Sequence, residues 1–262
     1  MKVILSRKGF DSGYGGIPSP VLPDGTMLSL PIPSKGDKVL YHDLHYEGKS
    51  YYQIIRDLNS KTSVVDEECH LDPDIRPEVI NRMNGWKPAF GQCGPAQTHL
   101  LNQGVDVGDI FLFFGWFRET EYNNEKLRYK GPTSGFHAIY GYMQVGDIVT
   151  NMNEVPDWLK SHPHANELRM SQRNAIYIGA DRLSLDPSLP GAGCFRYTEK
   201  RKLSKQGFSK RVWNLPDFFR EIPITYHANA WKEEGFYSVA KGQEFVFTAN
   251  DDVIAWLKEI LA

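Results

Sequence analysis

A chain of 262 residues, 41% hydrophobic and 24% charged, has the composition of an ordinary soluble protein and ample material for a buried core. Its formal net charge of −2 excludes a global attraction to nucleic acid or anionic membrane, so either would need a local basic patch. Three widely spaced cysteines, Cys69, Cys93 and Cys194, argue against a disulfide framework and against a CxxC zinc site.

MKVILSRKGF is charged too early for a signal peptide, and no stretch approaches a membrane span, so a cytoplasmic protein is expected. Met1 to Ser6 reads as a short buried strand, stopped by Arg7, Lys8 and Gly9. A turn-rich region follows, with five glycines and three prolines between residues 6 and 25 and only MLSLPI strand-like. SYYQIIRDL, residues 50–58, has the apolar spacing of a short helix. Residues 61–77 form a strand-to-loop transition, and PAQTHLLNQG, residues 95–104, a helix with Pro95 near its start and Gly104 at its end.

VGDIFLFFGWFRE (107–119) and GFHAIYGYMQVGDIV (135–149) give the strongest strand signals and predict a long antiparallel hairpin. Further strands are expected at 174–180, 194–198 and 244–249, and helices at VPDWLKS, LPDFFRE and DDVIAWLKEIL. The pattern predicts a single α+β domain over residues 1–262, built on a bent, mostly antiparallel sheet or small barrel with peripheral helices.

CHLDPDIRP offers His70, Asp72 and Asp74 at two-residue spacing. In extended backbone such residues share a face, and an imidazole with two carboxylates suits a divalent ion such as iron, manganese or magnesium. Asp-Pro-Asp is also a good turn sequence whose carboxylates can simply bond nearby amides. His137 sits inside an apolar strand, where a lone histidine is either a satisfied core residue or a functional group. SHPHAN adds His162 and His164 as an alternating pair that can contribute ligands.

FGQCGPAQTHLL places Gln92, Cys93 and Gln97 at a glycine-containing turn into a helix, an arrangement suited to an anion. Cys93 reads either as a nucleophile or as a small buried thiol. EKRKLSKQGFSKRVW, residues 199–213, has six Lys or Arg against one Glu, including Lys202 and Arg211, with Phe208 and Trp213 interleaved. That composition suits phosphate contact and base stacking, or a solvated hairpin. Walker A, GxGxxG after a strand, GxSxG and HExxH are all missing, which argues against a standard ATPase, dehydrogenase, serine hydrolase or zinc protease.

SRKGFDSGYGGIPSP, HLDPDI, FGQCGPAQTHL, VGDIFLFFGWFRET, FHAIYGYMQVG, HPHA, NAIYIG and GQEFV together resemble the third of the nucleotide modification associated domain families. The resemblance spans essentially the whole chain. It implies a role beside base-modifying enzymes and marks Arg7, Lys8, Asp11, Asp72, Asp74, Gln92, Gln97, His137 and His164 as functional. The hairpin is also similar to that of PUA-like barrels, which bind modified bases or RNA.

Two expectations follow. The first is an enzyme acting on a nucleotide or on a base in nucleic acid, with a divalent metal, iron or manganese favoured. Its metal ligands would come from His70, Asp72, Asp74, His137 and His164, with Asp72, Asp74, His137 and Asp11 in catalysis. Arg7, Lys8, Gln92, Gln97, Lys202 and Arg211 would bind substrate. The second is a PUA-like module that binds modified or single-stranded nucleic acid without chemistry. Partners expected are a nucleotide or nucleic acid and other base-modification enzymes, with no membrane.

Overall fold

The computed structural model describes residues 1–61, 68–166, 169, 173–225, 229–238 and 244–262. Nine strands form its main sheet: β1 (Lys2–Arg7), β2 (Ser19–Val21), β3 (Ala89–Cys93), β4 (Ile110–Asn123), β5 (Lys126–Tyr129), β6 (Phe136–Val149), β7 (Asn174–Gly179), β8 (Ala192–Cys194) and β9 (Glu244–Thr248). The spatial path is β9-β1-β4-β6-β7-β3, with β2 and β5 paired to β4 and β8 paired to β6. β1 and β2 run parallel to β4, and every other pairing in this sheet is antiparallel.

The expected hairpin is β4 and β6, with Phe136 opposite Phe117 and Gln144 opposite Ile110. Register shifts at Ile139/Gly141 and Val145/Asp147 let β6 bend away from β4 and continue onto β7. The sheet is thereby strongly curved, but none of the described sheets closes into a barrel, so the α+β expectation holds in its open form. Among the described residues three α-helices pack around it: α1 (Tyr51–Leu58), α2 (Gly94–Asn102) and α3 (Asp251–Leu261).

Local chemistry explains the helix ends. Ser50 and Gln53 form a capping box at α1, the Gln53 amide donating to Ser50 Oγ at 3.2 Å and the Ser50 amide to Gln53 Oε1 at 2.8 Å. Asn250 Oδ1 accepts the Val253 amide at 3.0 Å ahead of two aspartates in the first turn of α3. VPDWLKS and LPDFFRE yield only the 3-10 turns Asp157–Leu159 and Asp217–Arg220, because each packs one short apolar side rather than a full helical stripe. The strand expected at 194–198 ends at Cys194. Residues 62–67 of the predicted strand-to-loop segment lie outside the described residues.

The largest apolar core joins both sides of the β4–β6 pair and includes Phe111, Phe113, Phe114, Phe117, Trp213 and Trp256. Burying aromatic side chains of this size stabilises by about 2–3 kcal/mol each. A second core under α1 holds Phe10, Leu28, Leu30, Tyr41 and Ile55, so the glycine-rich loop after β1 is pinned by Phe10.

β1 and β2 follow one another along the same edge of β4, and the chain between them loops outward. The loop leaves β4 at Gly115, where an added Cβ would lie 2.9 Å from the Lys8 carbonyl oxygen. Lys8 can therefore bond its amide to the Phe114 carbonyl at 2.9 Å and still carry the loop over the sheet edge.

Candidate functional site

The loop after β1, the short strand Glu68–His70, the C-terminal half of β3 and the 3-10 turn Pro163–Ala165 enclose a cavity of about 330 Å³. Arg7, Lys8, Asp11, His70, Asp72, Gln92 and His164 from the sequence-predicted set all line it, together with Cys93, Tyr14 and Arg169. Residues separated by more than 150 positions thus meet, and the Gly-Pro loop is part of the cavity wall.

His70, Asp72 and His164 each offer a ligand atom, and these atoms lie within 4.8 Å of one another. The strand Glu68–His70 pairs with Ile32–Pro33, which fixes His70. Regular extended backbone stops there, as the Asp72 amide donates to the His70 carbonyl at 2.8 Å. Asp72 Oδ1 then accepts the Gly91 amide of β3 at 2.7 Å.

The bonding of each imidazole decides which nitrogen is available. The Asn174 amide donates to the His164 carbonyl at 2.7 Å, so its Oδ1 faces the ring and accepts from His164 Nδ1 at 2.9 Å. His164 Nε2 then carries a lone pair and has no hydrogen-bond partner among the described residues. Burial, outweighing the pull of Asp72, lowers the His164 pKa to about 3, so the ring is neutral.

His70 Nδ1 meets Asp37 Oδ2 at 2.8 Å, and Asp37 also receives Arg169 at 2.7 and 3.1 Å. Burial raises the Asp37 carboxyl, but bonds from His70, Arg169 and Ser34 outweigh it and hold the pKa at about 2. A carboxylate on one ring nitrogen with the other facing the cluster is how metal-binding histidines are commonly oriented.

Asp72 is ionised in a buried place. Burial raises its pKa, but the His162 ring and the charge of Lys8 outweigh that and hold it well below the usual carboxylate range. His162 accepts the His164 amide through Nδ1 at 3.2 Å, so its Nε2 bears the proton. That nitrogen is buried and faces Asp72 Oδ1 at 3.4 Å, close enough to favour the carboxylate, and has no well-aligned hydrogen bond among the described residues.

Lys8 Nζ stands 3.9 Å from Asp72 Oδ2 and 3.5 Å from Glu244 Oε1, over the Phe90 ring at 4.3 Å. Gln92 Nε2 donates to Glu244 Oε1 at 2.6 Å, and Glu244 Oε2 is buried without a hydrogen-bond partner among the described residues. Burial pushes the Cys93 thiol up, which disfavours the thiolate a nucleophile requires.

Other predicted site residues lie apart from this cluster. Asp74 accepts both Arg82 nitrogens at 2.6 Å and the Trp86 indole at 3.2 Å, a structural ion pair beyond the turn at Asp72. His137 Nδ1 accepts the Trp213 indole at 3.1 Å, in the aromatic core and outside the cavity lining. Gln97 is buried and accepts the Tyr177 hydroxyl at 3.0 Å. Asp11 lines the cavity, but its Oδ1 holds the loop by accepting the Gly13 and Tyr14 amides at 2.7 and 2.8 Å.

The basic loop is largely engaged with the protein itself. Arg201 donates to the Ile260 and Arg196 carbonyls, Lys205 to the Glu234 carbonyl and Arg211 to the Ser238 carbonyl. Lys202 pairs with Glu199 at 3.3 Å and Lys210 covers the Trp116 ring. Trp213, expected as a stacking group, is fully buried.

Sequence reasoning missed Asp37, Arg169, Asn174 and the role of Glu244. Asp37, Arg169 and Glu244 act on partners 33 to 152 residues away, and Asn174 of β7 acts on His164 of the 3-10 turn, ten residues away, so no local spacing signals them. No helix among the described residues is long and apolar enough to cross a membrane. Comparison with curated proteins and with solved structures finds no match. The family model for nucleotide modification associated domain 3 matches residues 2–248, and the chain belongs to that family.

Proposed function

We propose that the protein is a metal-dependent enzyme that modifies a nucleotide or a base in nucleic acid, with His70, Asp72 and His164 holding one divalent ion. The observation that carries this reading is the approach of their three ligand atoms to within 4.8 Å at the wall of an open, polar cavity. Family membership supports the nucleotide side of the reading.

The donor set fits such an ion. Two imidazole nitrogens and one carboxylate suit iron or manganese, and when bound such an ion supplies Lewis-acid or redox chemistry at its open positions. His162 Nε2 and Glu244 Oε2, buried without a well-aligned hydrogen bond among the described residues, indicate a site with polar capacity beyond what the protein itself satisfies. Asp37 and Asn174 orient the two rings, and Gly91 fixes Asp72. Gln92 and Lys8 face the same space, where they can hold a base edge and balance negative charge.

Metal analysis of protein purified without chelator, followed by Mn²⁺ titration monitored by electron paramagnetic resonance, tests the centre. One tight equivalent is expected, lost in His70→Ala and His164→Ala and retained in His137→Asn and Asp74→Asn. A wild-type protein that binds no divalent ion overturns the metal centre. Nucleic-acid binding that survives all of these variants without any turnover supports a non-catalytic reader instead.

A further inference from the structure

Among the described residues, Arg7 is the cavity-lining arginine or lysine without an ion pair. Lys8 has Asp72 and Glu244, and Arg169 has Asp37. The Arg7 guanidinium makes no hydrogen bond and no ion pair among the described residues, although it is only partly accessible and lines the cavity. Partly buried guanidinium groups are ordinarily paired, because their five donors lose water on burial. Burial lowers its pKa, an effect that the nearby charges of Asp11 and Glu244 oppose and that of Arg211 reinforces, but neither carboxylate bonds the guanidinium. The corner it occupies therefore offers unused guanidinium donors to an anion.

Two further features bear on what that anion belongs to. The cavity, about 330 Å³, lies at the small end of the range for small-molecule sites and matches one nucleotide rather than a strand. The basic segment that would track a polynucleotide backbone has its long side chains committed to protein carbonyls, Glu199 or the Trp116 ring, Lys200 excepted. Binding of a strand without such a track lacks the counter-ion release that drives it. Tyr14, 58% exposed at the cavity wall, makes no ring contact among the described residues and is free to stack on a single base.

We propose that the site takes a free mononucleotide, with its phosphate seated on Arg7 and its base or sugar toward His70, Asp72 and His164. The inference rests on the reading of the cavity as a nucleotide-modifying site. It places the reaction before polymerisation, so that a nucleotide-activating reaction would have to follow it.

Calorimetric titration of the full chain with the four deoxynucleoside 5′-monophosphates, their nucleosides and a mixed-sequence single-stranded oligonucleotide tests this. At least one monophosphate is expected to bind, about 10–100-fold more tightly than its nucleoside and more tightly than the oligonucleotide. Arg7→Met should bring that monophosphate down to the nucleoside, while Mn²⁺ binding and the unfolding temperature stay near wild type. Arg7→Lys, which keeps charge but not the fork, should fall between them and serves if Arg7→Met does not fold. Equal affinity for nucleoside and monophosphate, tighter binding of the oligonucleotide, or indifference to both substitutions overturns the proposal. Arg7-dependent monophosphate binding in a protein that binds no Mn²⁺ retires the metal centre and leaves this inference standing. Mn²⁺ binding without any preference for the monophosphate does the reverse.

Discussion

The His164 side chain packs so closely on Gly91 that a Cβ there would come within 2.5 Å of the His164 Cβ and overlap the ring. The same glycine donates its amide to Asp72 at 2.7 Å, so one residue of β3 sets the position of two of the three candidate ligands. Gly91→Ala is expected to push the ring out of the cluster at a cost of about 1–3 kcal/mol of stability, the range for overpacking. Mn²⁺ titration should show loss of the tight site, and thermal unfolding should show a protein that is still folded. Unchanged affinity would mean that the ring has room to move.

Asp37 touches no ligand atom of the cluster directly, yet it receives the Nδ1 side of His70 and both arms of Arg169. Asp37→Asn keeps an acceptor but loses the charge that raises the basicity of the ring. Divalent-ion affinity is expected to fall about 10–100-fold, as for other partners that orient ligands. Asp74→Asn is the matched control: it breaks a largely buried ion pair with Arg82 and costs about 1–3 kcal/mol, but leaves the ion affinity unchanged. Equal effects of the two substitutions on Mn²⁺ affinity would show that Asp37 acts only through stability.

The core of this arrangement was legible where the signal was local. The alternation apolar-aromatic run, turn, apolar-aromatic run marked β4 and β6, and His70-x-Asp72 and the HPHA string marked the three residues that meet at the cavity wall. The same alternation argument overreached at Asp74, because it assumes extended backbone and the chain turns at Asp72. His137 looked functional because a polar group in an apolar strand needs a partner, and the partner turned out to be the Trp213 indole. The basic loop misled for a related reason: long cationic side chains reach protein carbonyls as readily as phosphates, and sequence does not say which is near. Asp37 is 33 residues from His70 and Gln92 is 152 from Glu244, so those pairings exist only through topology.

His137 makes the stability of the protein pH-dependent away from the cavity. Burial first, and then the charges of Lys210, Arg7 and Arg211, lower its pKa to about 3 from an ordinary value near 6.5. Between those values the unfolded chain takes up a proton that the folded chain refuses. Its contribution is therefore intact above pH 6.5 and declines as pH falls toward 3. At pH 5 the loss relative to pH 7 is about 2 kcal/mol. His137→Asn, which keeps an acceptor for the Trp213 indole, should remove this part of the acid sensitivity in denaturant titrations at pH 7 and pH 5. An identical difference between the two pH values in the variant would place the acid-sensitive group elsewhere.

Lys8 is the counter-ion shared by two buried carboxylates, Asp72 and Glu244, at 3.9 and 3.5 Å. Its side chain is only 10% exposed, so little water compensates for its loss. Lys8→Met leaves both carboxylates without a cation and should lower metal-free stability by about 3 kcal/mol, the lower end for breaking a buried pair. A divalent ion on Asp72 would supply positive charge in its place. Mn²⁺ should therefore raise the unfolding temperature of Lys8→Met by more than it raises that of wild type, because wild-type Lys8 repels the ion that the variant needs. The comparison is made by thermal unfolding with and without Mn²⁺ at one protein concentration. The same shift in both proteins would mean that Lys8 does not face the ion, and that its role is confined to holding Glu244 against β1.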